Sequence, residues 1–203
     1  MSNQYYEFDD KQRAFVMNRH DMPQPWINYL SNGKNMHAFV SQAGGGFAWW
    51  KSPWVFRLTR YRAYHLPIDT PGFYLYIKTQ DGVVWSPTFR PCETPLDDWT
   101  ATHRPGRSTF EARKGELLAK VTFFVTPDHD CMVWNLTLTN AGKEPVEFDV
   151  FGYTEFSQLN WEQECGWGYY TKLQMKAWFE PGCNAVIYHS HTQHERQIGR
   201  AHV

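Results

Sequence analysis

Hydrophobic and polar residues alternate with a period of two along several stretches of the chain. Phe73, Leu75 and Ile77 fall on one side of a short run, and the intervening residues fall on the other. A period of two predicts β-strands. The same pattern predicts further strands over residues 116–126, 131–140, 146–156, 169–179 and 185–191. Helical spacing is weak, and one short helix is predicted over Thr94–Trp99.

Turn sequences separate the predicted strands. The run CMVWNLTLTN is joined to VEFDVFGYTEF by the glycine-containing NAGKEP, which predicts a β-hairpin with one covered and one solvated face. Further proline and glycine turns occur in DTPG, QDG, FRPCETP and HRPGR. Many strands, frequent turns and no long amphipathic helix predict an all-β protein, an antiparallel β-sandwich.

Composition narrows the classes of function. The chain has 203 residues and a formal net charge of −1, with no long run of one sign, so nucleic acid is not an expected partner. No apolar run approaches the roughly 18 residues of a membrane span, and no secretory signal precedes the first strands. Four cysteines without CxxC pairing are typical of reduced thiols. These features predict a cytoplasmic protein without a membrane partner.

The segment GGGFAWWKSPWVFRLTRYR concentrates tryptophan and arginine. Strand alternation places Arg60 and Arg62 on one face and Arg57 on the other. Planar, permanently charged guanidinium groups are suited to fastening loops onto a sheet, and direct ligand contact is the alternative. Carboxylates are available as partners within the chain, namely Asp69, Asp97, Asp98 and Glu155.

The three glycines at the start of this segment, residues 44–46, match no phosphate-binding loop, because no GK[ST] follows them. They are predicted to let the backbone pass close beneath Trp49 and Trp50.

Several long motifs carry a family resemblance. YYEFDDKQRAFVMNRHDMPQPWINYLSNG, AGGGFAWWKSPWVFRLTRYR, PGFYLYIK and VWSPTFRP, in this order, resemble the N-terminal region of glycoside hydrolase family 94, which contains cellobiose, cellodextrin and chitobiose phosphorylases. The resemblance implies an N-terminal super-sandwich of the galactose-mutarotase-like kind. In such enzymes a linker, an (α/α)-barrel and a small C-terminal β domain follow.

The resemblance also implies an activity for the full-length enzyme. Such enzymes cleave a β-linked di- or oligosaccharide with inorganic phosphate as co-substrate, invert the anomeric carbon and release a sugar 1-phosphate, without a cofactor. Their catalytic aspartate lies on the barrel, so no residue of this chain inherits a catalytic role. We therefore expect the chain to be inactive alone, with the missing barrel as partner and a homodimer as the full-length assembly.

One loop is implied to reach the mouth of the active site. It follows FGYTEFS, and its substrate-binding candidates are Gln158, Asn160, Trp161 and Gln163. Amide and indole groups can bind sugar hydroxyls and stack on a ring face. The amino-acid sequence of this loop differs from that of characterised disaccharide phosphorylases, so the identity of the acceptor sugar is left open. The carboxylate pairs Asp97–Asp98 and Glu162–Glu164 are interpreted as solvated surface.

Two alternative functions remain at this point. The first is a stand-alone carbohydrate-binding module that uses the aromatic faces of Trp49, Trp50, Trp161 and Trp167. The second is a purely structural dimerisation domain. His189, His191 and His194 lie near one another in sequence, but a strand end is a poor place to preorganise zinc ligands, so no metal site is predicted.

The domain is expected to span residues 1–196, with its completeness at the C-terminal end left open. The last seven residues are QIGRAHV. The nucleotide string CAG-ATC-GGA-AGA-GCA-CAC-GTC encodes this heptapeptide and resembles a common sequencing-library adapter. Residues 197–203 are therefore expected to be a non-native tail, and a genuine coil end is the alternative.

Overall fold

The computed structural model describes residues 5–60, 73–166, 173, 175–191 and 196–202, and strands dominate the described chain. The first eight strands are β1 Tyr6–Asp9, β2 Ala14–Met17, β3 Ile27–Ser31, β4 Met36–Ser41, β5 Gly46–Trp50, β6 Arg57–Thr59, β7 Phe73–Thr79 and β8 Val84–Trp85. The next six are β9 Asp98–Arg104, β10 Arg107–Lys114, β11 Leu117–Val125, β12 Met132–Asn140, β13 Phe148–Thr154 and β14 Phe156–Leu159. The one α-helix within the described residues, α1 Trp161–Gly166, precedes β15 Met175–Glu180, a 3₁₀ turn at Pro181–Cys183, β16 Ala185–His191 and β17 Arg196–His202.

These strands form four antiparallel sheets. A six-stranded sheet has the order β1-β2-β9-β10-β11-β12, and a five-stranded sheet has the order β14-β6-β5-β4-β3. Two smaller sheets have the orders β13-β7-β8 and β15-β16-β17. The predicted all-β antiparallel sandwich is therefore confirmed.

The hydrophobic core lies between the six-stranded sheet and the sheets that contain β3–β5 and β7–β8. Its largest fully buried apolar side chains include Trp85, Phe73, Phe110 and Phe123. Phe73 connects the layers, because its ring centroid lies 5.7 Å from that of Phe123 and 5.0 Å from that of Trp134. Burial of such rings supplies most of the favourable free energy of a sandwich of this kind.

The predicted alternation along β11 and β12 is confirmed. On β11, Leu117, Ala119, Val121, Phe123 and Val125 are buried, while Leu118 and Lys120 face solvent. On β12 the apolar residues at even positions pack against the core, and the threonines between them are exposed. The period of two therefore identified the inward face of both strands.

The predicted hairpin between β12 and β13 is wrong. β12 pairs with β11, whereas β13 pairs with β7 in a different sheet, with Val150 opposite Ile77. The NAGKEP segment thus reverses the chain between two sheets. β13 adds to its sheet beside β7, a strand that is already largely buried. A local turn after β12 carries no information about β7 as the distant partner of β13.

The helix predicted over Thr94–Trp99 is also wrong. Thr94 donates its hydroxyl to the carbonyl of Val84, and Asp98 already begins β9 opposite Arg113. The ladder of β9 with β10 supplies the backbone hydrogen bonds that a helix would otherwise have made.

The glycine run at residues 44–46 makes the close approach that was predicted, but to different neighbours. A Cβ on Gly44 would lie 2.3 Å from the hydroxyl oxygen of Thr88, and one on Gly46 would lie 2.2 Å from the carbonyl oxygen of Phe39. Gly44 also has a φ of +85°, a conformation that favours glycine. The glycines therefore allow the start of β5 to pack closely against β4 and the segment after β8, and these contacts are not with the tryptophans.

At the end of the described chain, β17 pairs with β16, with Gln197 opposite Ser190. Strand pairing does not show whether adapter DNA encodes residues 197–203. Their non-native origin therefore stays a prediction. None of the helices in the described ranges has the length and apolar character that a membrane span needs.

Candidate functional site

The loop predicted to contact sugar leaves the end of β14. This strand pairs with β6, so that Leu159 lies opposite Arg57. The chain then turns at Asn160 and forms α1 directly beside the sheet edge. The arginine-rich segment and the predicted loop, which are about a hundred residues apart in sequence, therefore meet at one place.

A buried ion pair joins them. The side chain of Arg57 is only 2% exposed, and its Nε lies 2.8 Å from Oε2 of Glu164 on α1. Ser157 donates its hydroxyl to the same carboxylate oxygen at 3.0 Å. The guanidinium carbon also lies 4.7 Å from the ring centroid of Phe47 and 4.8 Å from that of Trp161. Arg57 therefore fastens α1 to the sheet between two aromatic faces, as a structural arginine would.

Arg60 acts in the same way at the edge of this pair. It forms an ion pair with Glu155, one of the partners predicted from sequence, and its Nε lies 3.9 Å from Oε1 of Glu164. The interpretation of Glu164 as solvated surface is wrong, because its side chain is 8% exposed and forms an ion pair with Arg57. Arg62 lies outside the described residues.

The other proposed carboxylate partners are engaged elsewhere. Asp98 pairs with Arg113 on the six-stranded sheet, and Asp97 accepts a hydrogen bond from the backbone of Gly115. Asp69 lies outside the described part of the chain. Glu162 is exposed, as predicted.

Two of the sugar-binding candidates cap the helix. The side-chain oxygen of Asn160 accepts from the backbone nitrogen of Gln163 at 2.8 Å, and the side chain of Gln163 reaches back to the backbone nitrogen of Asn160 at 3.5 Å. This reciprocal arrangement is a capping box. Both amide oxygens are therefore used within the loop. The side chain of Gln158 lies outside the described part of the structure.

Trp161 forms an aromatic corner with a tryptophan that sequence reasoning missed. The rings of Trp161 and Trp54 are 5.3 Å apart in an edge-to-face arrangement, and the backbone nitrogen of Trp161 donates to the carbonyl of Trp54 at 3.1 Å. Trp54 is 65% exposed. The signal for Trp54 was its place in the KSPW turn, where a large apolar side chain has little opportunity to be buried. We call these two residues the tryptophan corner.

The other candidate aromatic faces are less available. Trp49 is stacked between Phe47 and His37, at centroid distances of 5.1 and 5.6 Å. Trp50 donates its indole N–H to Asp130 at 2.8 Å, and this hydrogen bond lowers the pKa of that carboxyl. Trp167 lies outside the described residues. Among the aromatic side chains of the described residues near the loop, Trp54 of the tryptophan corner is the most exposed.

The base of the loop is apolar. Tyr188 on β16 stacks on Phe156 at 4.9 Å, and burial raises the pKa of Tyr188 to about 12, with a smaller contribution from the charge of Glu155. The phenol is therefore neutral at physiological pH. Among the described residues, no three histidine, cysteine or acidic side chains are grouped so that they could hold a metal ion. The described part of the arrangement can present aromatic faces to a ligand, and its carboxylates Glu155 and Glu164 are held in ion pairs with arginines.

Comparison with known proteins identifies relatives that share this domain. Residues 13–203 match the family model described as the glycosyl hydrolase 94 supersandwich domain. Over 156 residues, 75% of its length, the chain is 33% identical to an N,N'-diacetylchitobiose phosphorylase of Vibrio furnissii. Over 161 residues, 78% of its length, it is 29% identical to a 3-O-beta-D-glucopyranosyl-beta-D-glucuronide phosphorylase of Paenibacillus borealis. A solabiose phosphorylase of the same organism is 26% identical over 151 residues, 74% of this chain.

The matched regions are a small part of those relatives. They cover 19%, 19% and 20% of the three proteins, so the chain spans about a fifth of their length. The family match, in contrast, extends over nearly the whole chain and agrees with the strand-rich sandwich described above. The chain therefore belongs to the glycosyl hydrolase 94 family, as its supersandwich domain.

Proposed function

We propose that this domain serves a phosphorylase that uses inorganic phosphate to cleave a β-glycosidic bond in a di- or oligosaccharide. Family membership supports the proposal, as do the phosphorylase names of its relatives. The catalytic groups are assigned to another domain on the basis of the family resemblance, and two of the carboxylates considered as an acid and base pair are held in ion pairs. Glu164 is buried against Arg57, and Asp98 is paired with Arg113.

Within such an enzyme, the tryptophan corner is proposed to form an aromatic wall beside the bound sugar. The buried pair of Arg57 and Glu164 is the observation that carries this role. It holds α1 and Trp161 in place without a ligand, so that little conformational entropy is lost on binding. Aromatic rings of this kind stack on the apolar faces of sugars. Asn160 and Gln163 would position the wall through the capping box, and direct contact with sugar hydroxyls is left to Trp54 and Trp161.

A titration of the 203-residue chain with cello-oligosaccharides tests this role. We expect saturable quenching of tryptophan fluorescence in the millimolar range or tighter. Trp161→Ala and Trp54→Ala should each abolish the saturable change. Trp26→Ala is the matched control, because Trp26 is also partly exposed but packs on Phe15 at 4.6 Å, beside β2. It should keep the response.

Absence of quenching at any concentration would contradict sugar contact and would favour the purely structural function. Equal loss in Trp26→Ala would point to a general loss of structure instead.

The assignment of catalysis to another domain has its own test. The chain is incubated with cellobiose and inorganic phosphate, and glucose 1-phosphate is measured by a coupled enzymatic assay. We expect no product above the blank. Sustained turnover by the purified chain would overturn the proposal. A homodimer and a cytoplasmic location belong to the same proposal for the full-length enzyme, and they rest on the family resemblance and on the composition of the chain.

A further inference from the structure

The outer face of the six-stranded sheet carries a polar cavity of about 260 Å³. Its floor is a row of hydroxyl groups on adjacent strands, from Thr102 on β9 through Thr109 on β10 to Thr122 on β11. The hydroxyl oxygens of Thr109 and Thr122 are 3.1 Å apart. The cavity therefore offers several hydroxyl donors at one place, on the side of the sheet opposite to the core.

The wall of the cavity has an excess of positive charge. Arg104, Arg107 and Lys120 line it together with one carboxylate, that of Glu111. Glu111 lies 2.8 Å from the ammonium of Lys120, so these two charges largely compensate each other. The two arginines remain without a carboxylate within 4 Å among the described residues.

The placement of the two arginines is unfavourable in the absence of an anion. Arg104 and Arg107 lie directly opposite each other in the ladder of β9 and β10, where like charges destabilise a sheet. Arg104 donates from Nη2 to the neutral side chain of Gln12, while its Nε is shielded from water and has no acceptor among the described residues. A buried donor of this kind costs free energy unless something accepts its hydrogen bond.

The hairpin that bears the arginines is held in place from the opposite layer. The side-chain amide nitrogen of Asn28 on β3 donates to the carbonyl oxygens of Arg104 and Arg107, at 2.9 and 3.0 Å. The same nitrogen lies 3.1 Å from the hydroxyl of Ser108. Gly106 closes the turn with a φ of +77°. The backbone positions of both arginines are thus fixed before any ligand arrives, which lowers the entropic cost of binding.

We infer that this cavity binds a phosphoryl group, either as inorganic phosphate or as the phosphate monoester of a sugar. A guanidinium binds two phosphate oxygens at once, and the threonine hydroxyls can donate to the others. The hydroxyl donors of the floor and the guanidinium donors of the wall approach a ligand from different directions. A tetrahedral dianion presents acceptor oxygens in several directions, whereas a carboxylate presents them in one plane. The inference rests on the outer face alone and does not depend on the proposed function.

Calorimetric titration of the 203-residue chain at constant ionic strength tests the inference. One arm uses sodium phosphate and the other uses glucose 1-phosphate, with chloride as the balancing anion. We expect one-site binding in at least one arm. The double variant Arg104→Gln/Arg107→Gln should weaken that affinity at least tenfold. Tighter binding of the sugar phosphate identifies a monoester as the ligand, and tighter binding of phosphate identifies the free ion.

Arg113→Gln is the matched control, because Arg113 lies on the same strand and the same face but is paired with Asp98. It should bind phosphate as the unaltered chain does. Thermal unfolding in chloride checks whether the double variant is folded. If the double variant does not fold, the single variant Arg107→Gln is titrated in its place. No saturable heat at tens of millimolar in either arm would overturn the inference. Equal weakening by Arg113→Gln would also overturn it, because it would show a diffuse charge effect.

Discussion

Strands β11 and β13 both carry several large apolar side chains, but the two strands have opposite surroundings. On β11, Val121 and Phe123 are covered by the facing layer and are almost fully buried. On β13, all four large apolar side chains are exposed by 40% or more: Phe148, Val150, Phe151 and Tyr153. Phe148 and Val150 continue the side of the sheet that carries the fully buried Ile77, yet they remain 40% and 42% exposed.

The comparison separates two properties of a strand with alternating residues: which side chains share a face, and whether that face is covered. Alternation shows which residues share a face of a strand, because side chains point to opposite sides at every step. Whether another layer covers that face depends on topology. β11 lies inside a six-stranded sheet, while β13 forms the open edge of a three-stranded one. The same hydrophobic residue therefore contributes very different amounts of stability in the two strands.

Matched phenylalanine truncations should show the largest effect. Phe123→Ala removes a ring that is 1% exposed, so we expect the free energy of unfolding to fall by about 4 kcal/mol from lost burial and the cavity left behind. Phe148→Ala removes a ring that is 40% exposed and should cost less than about 1.5 kcal/mol. Urea denaturation of both variants measures the difference. Equal costs would mean that β13 is covered in solution.

The buried ion pair should give the next largest effect. Glu164→Gln leaves the charge of Arg57 without its carboxylate in a buried setting, which is expected to cost about 3 kcal/mol. Asp98→Asn breaks the exposed pair with Arg113 and should leave stability unchanged within error. The same denaturation experiment tests both. A small effect of Glu164→Gln would show that α1 can separate from β6 at little cost.

Glycine substitutions extend the comparison to the backbone. Gly46→Ala places a methyl group 2.6 Å from the ring of Phe73 and closer still to a carbonyl, so it should destabilise by about 2 kcal/mol. Gly152→Ala on β13 meets nothing within 4 Å and should be neutral or stabilise by up to about 1 kcal/mol. Melting temperatures would rank the two variants. A destabilising Gly152→Ala would contradict the open face assigned to β13.

The smallest effect on stability, with a clear effect on association, is expected from Val150→Lys. An exposed apolar edge strand is a template for pairing with another copy of the chain, and a lysine there opposes it. We expect the chain to self-associate, and light scattering should show a lower mean mass for Val150→Lys. Val84→Lys, on the opposite edge strand of the same sheet, is the control. A monomeric unaltered chain at high concentration would remove the basis of this prediction.

Much of the fold could be predicted because it depends on local pattern. The inward faces of β7, β11 and β12 follow from alternation. Alternation also separated the face of Arg57 from that of Leu58, but it did not indicate that the Arg57 face of β6 is the buried one. The partner of β13 could not be predicted, since a turn specifies reversal and not the distant strand that is joined. The Thr94–Trp99 helix failed because long-range pairing of Asp98 with β10 outweighed a weak local preference.

The candidate site was less accessible to sequence reasoning. The capping box of Asn160 and Gln163 is readable as a helix start, but the same amides also suit sugar hydroxyls, and only the structure shows where they bond. Glu164 is buried by a partner a hundred residues away, against the usual exposure of glutamate. Trp54 was overlooked among neighbouring tryptophans, because exposure is a property of the assembled surface.

Strand β3 restricts how the two layers can move. At one end, Asn28 bonds the β9–β10 hairpin of the opposite sheet, and just beyond the other end Asn32 bonds Asp130 of the β11–β12 turn at 2.9 Å. Sliding of one sheet along the other would have to break both connections simultaneously. Shear parallel to β3 is thus resisted at two points, and the layers are left to separate by a hinge-like opening that starts away from this strand.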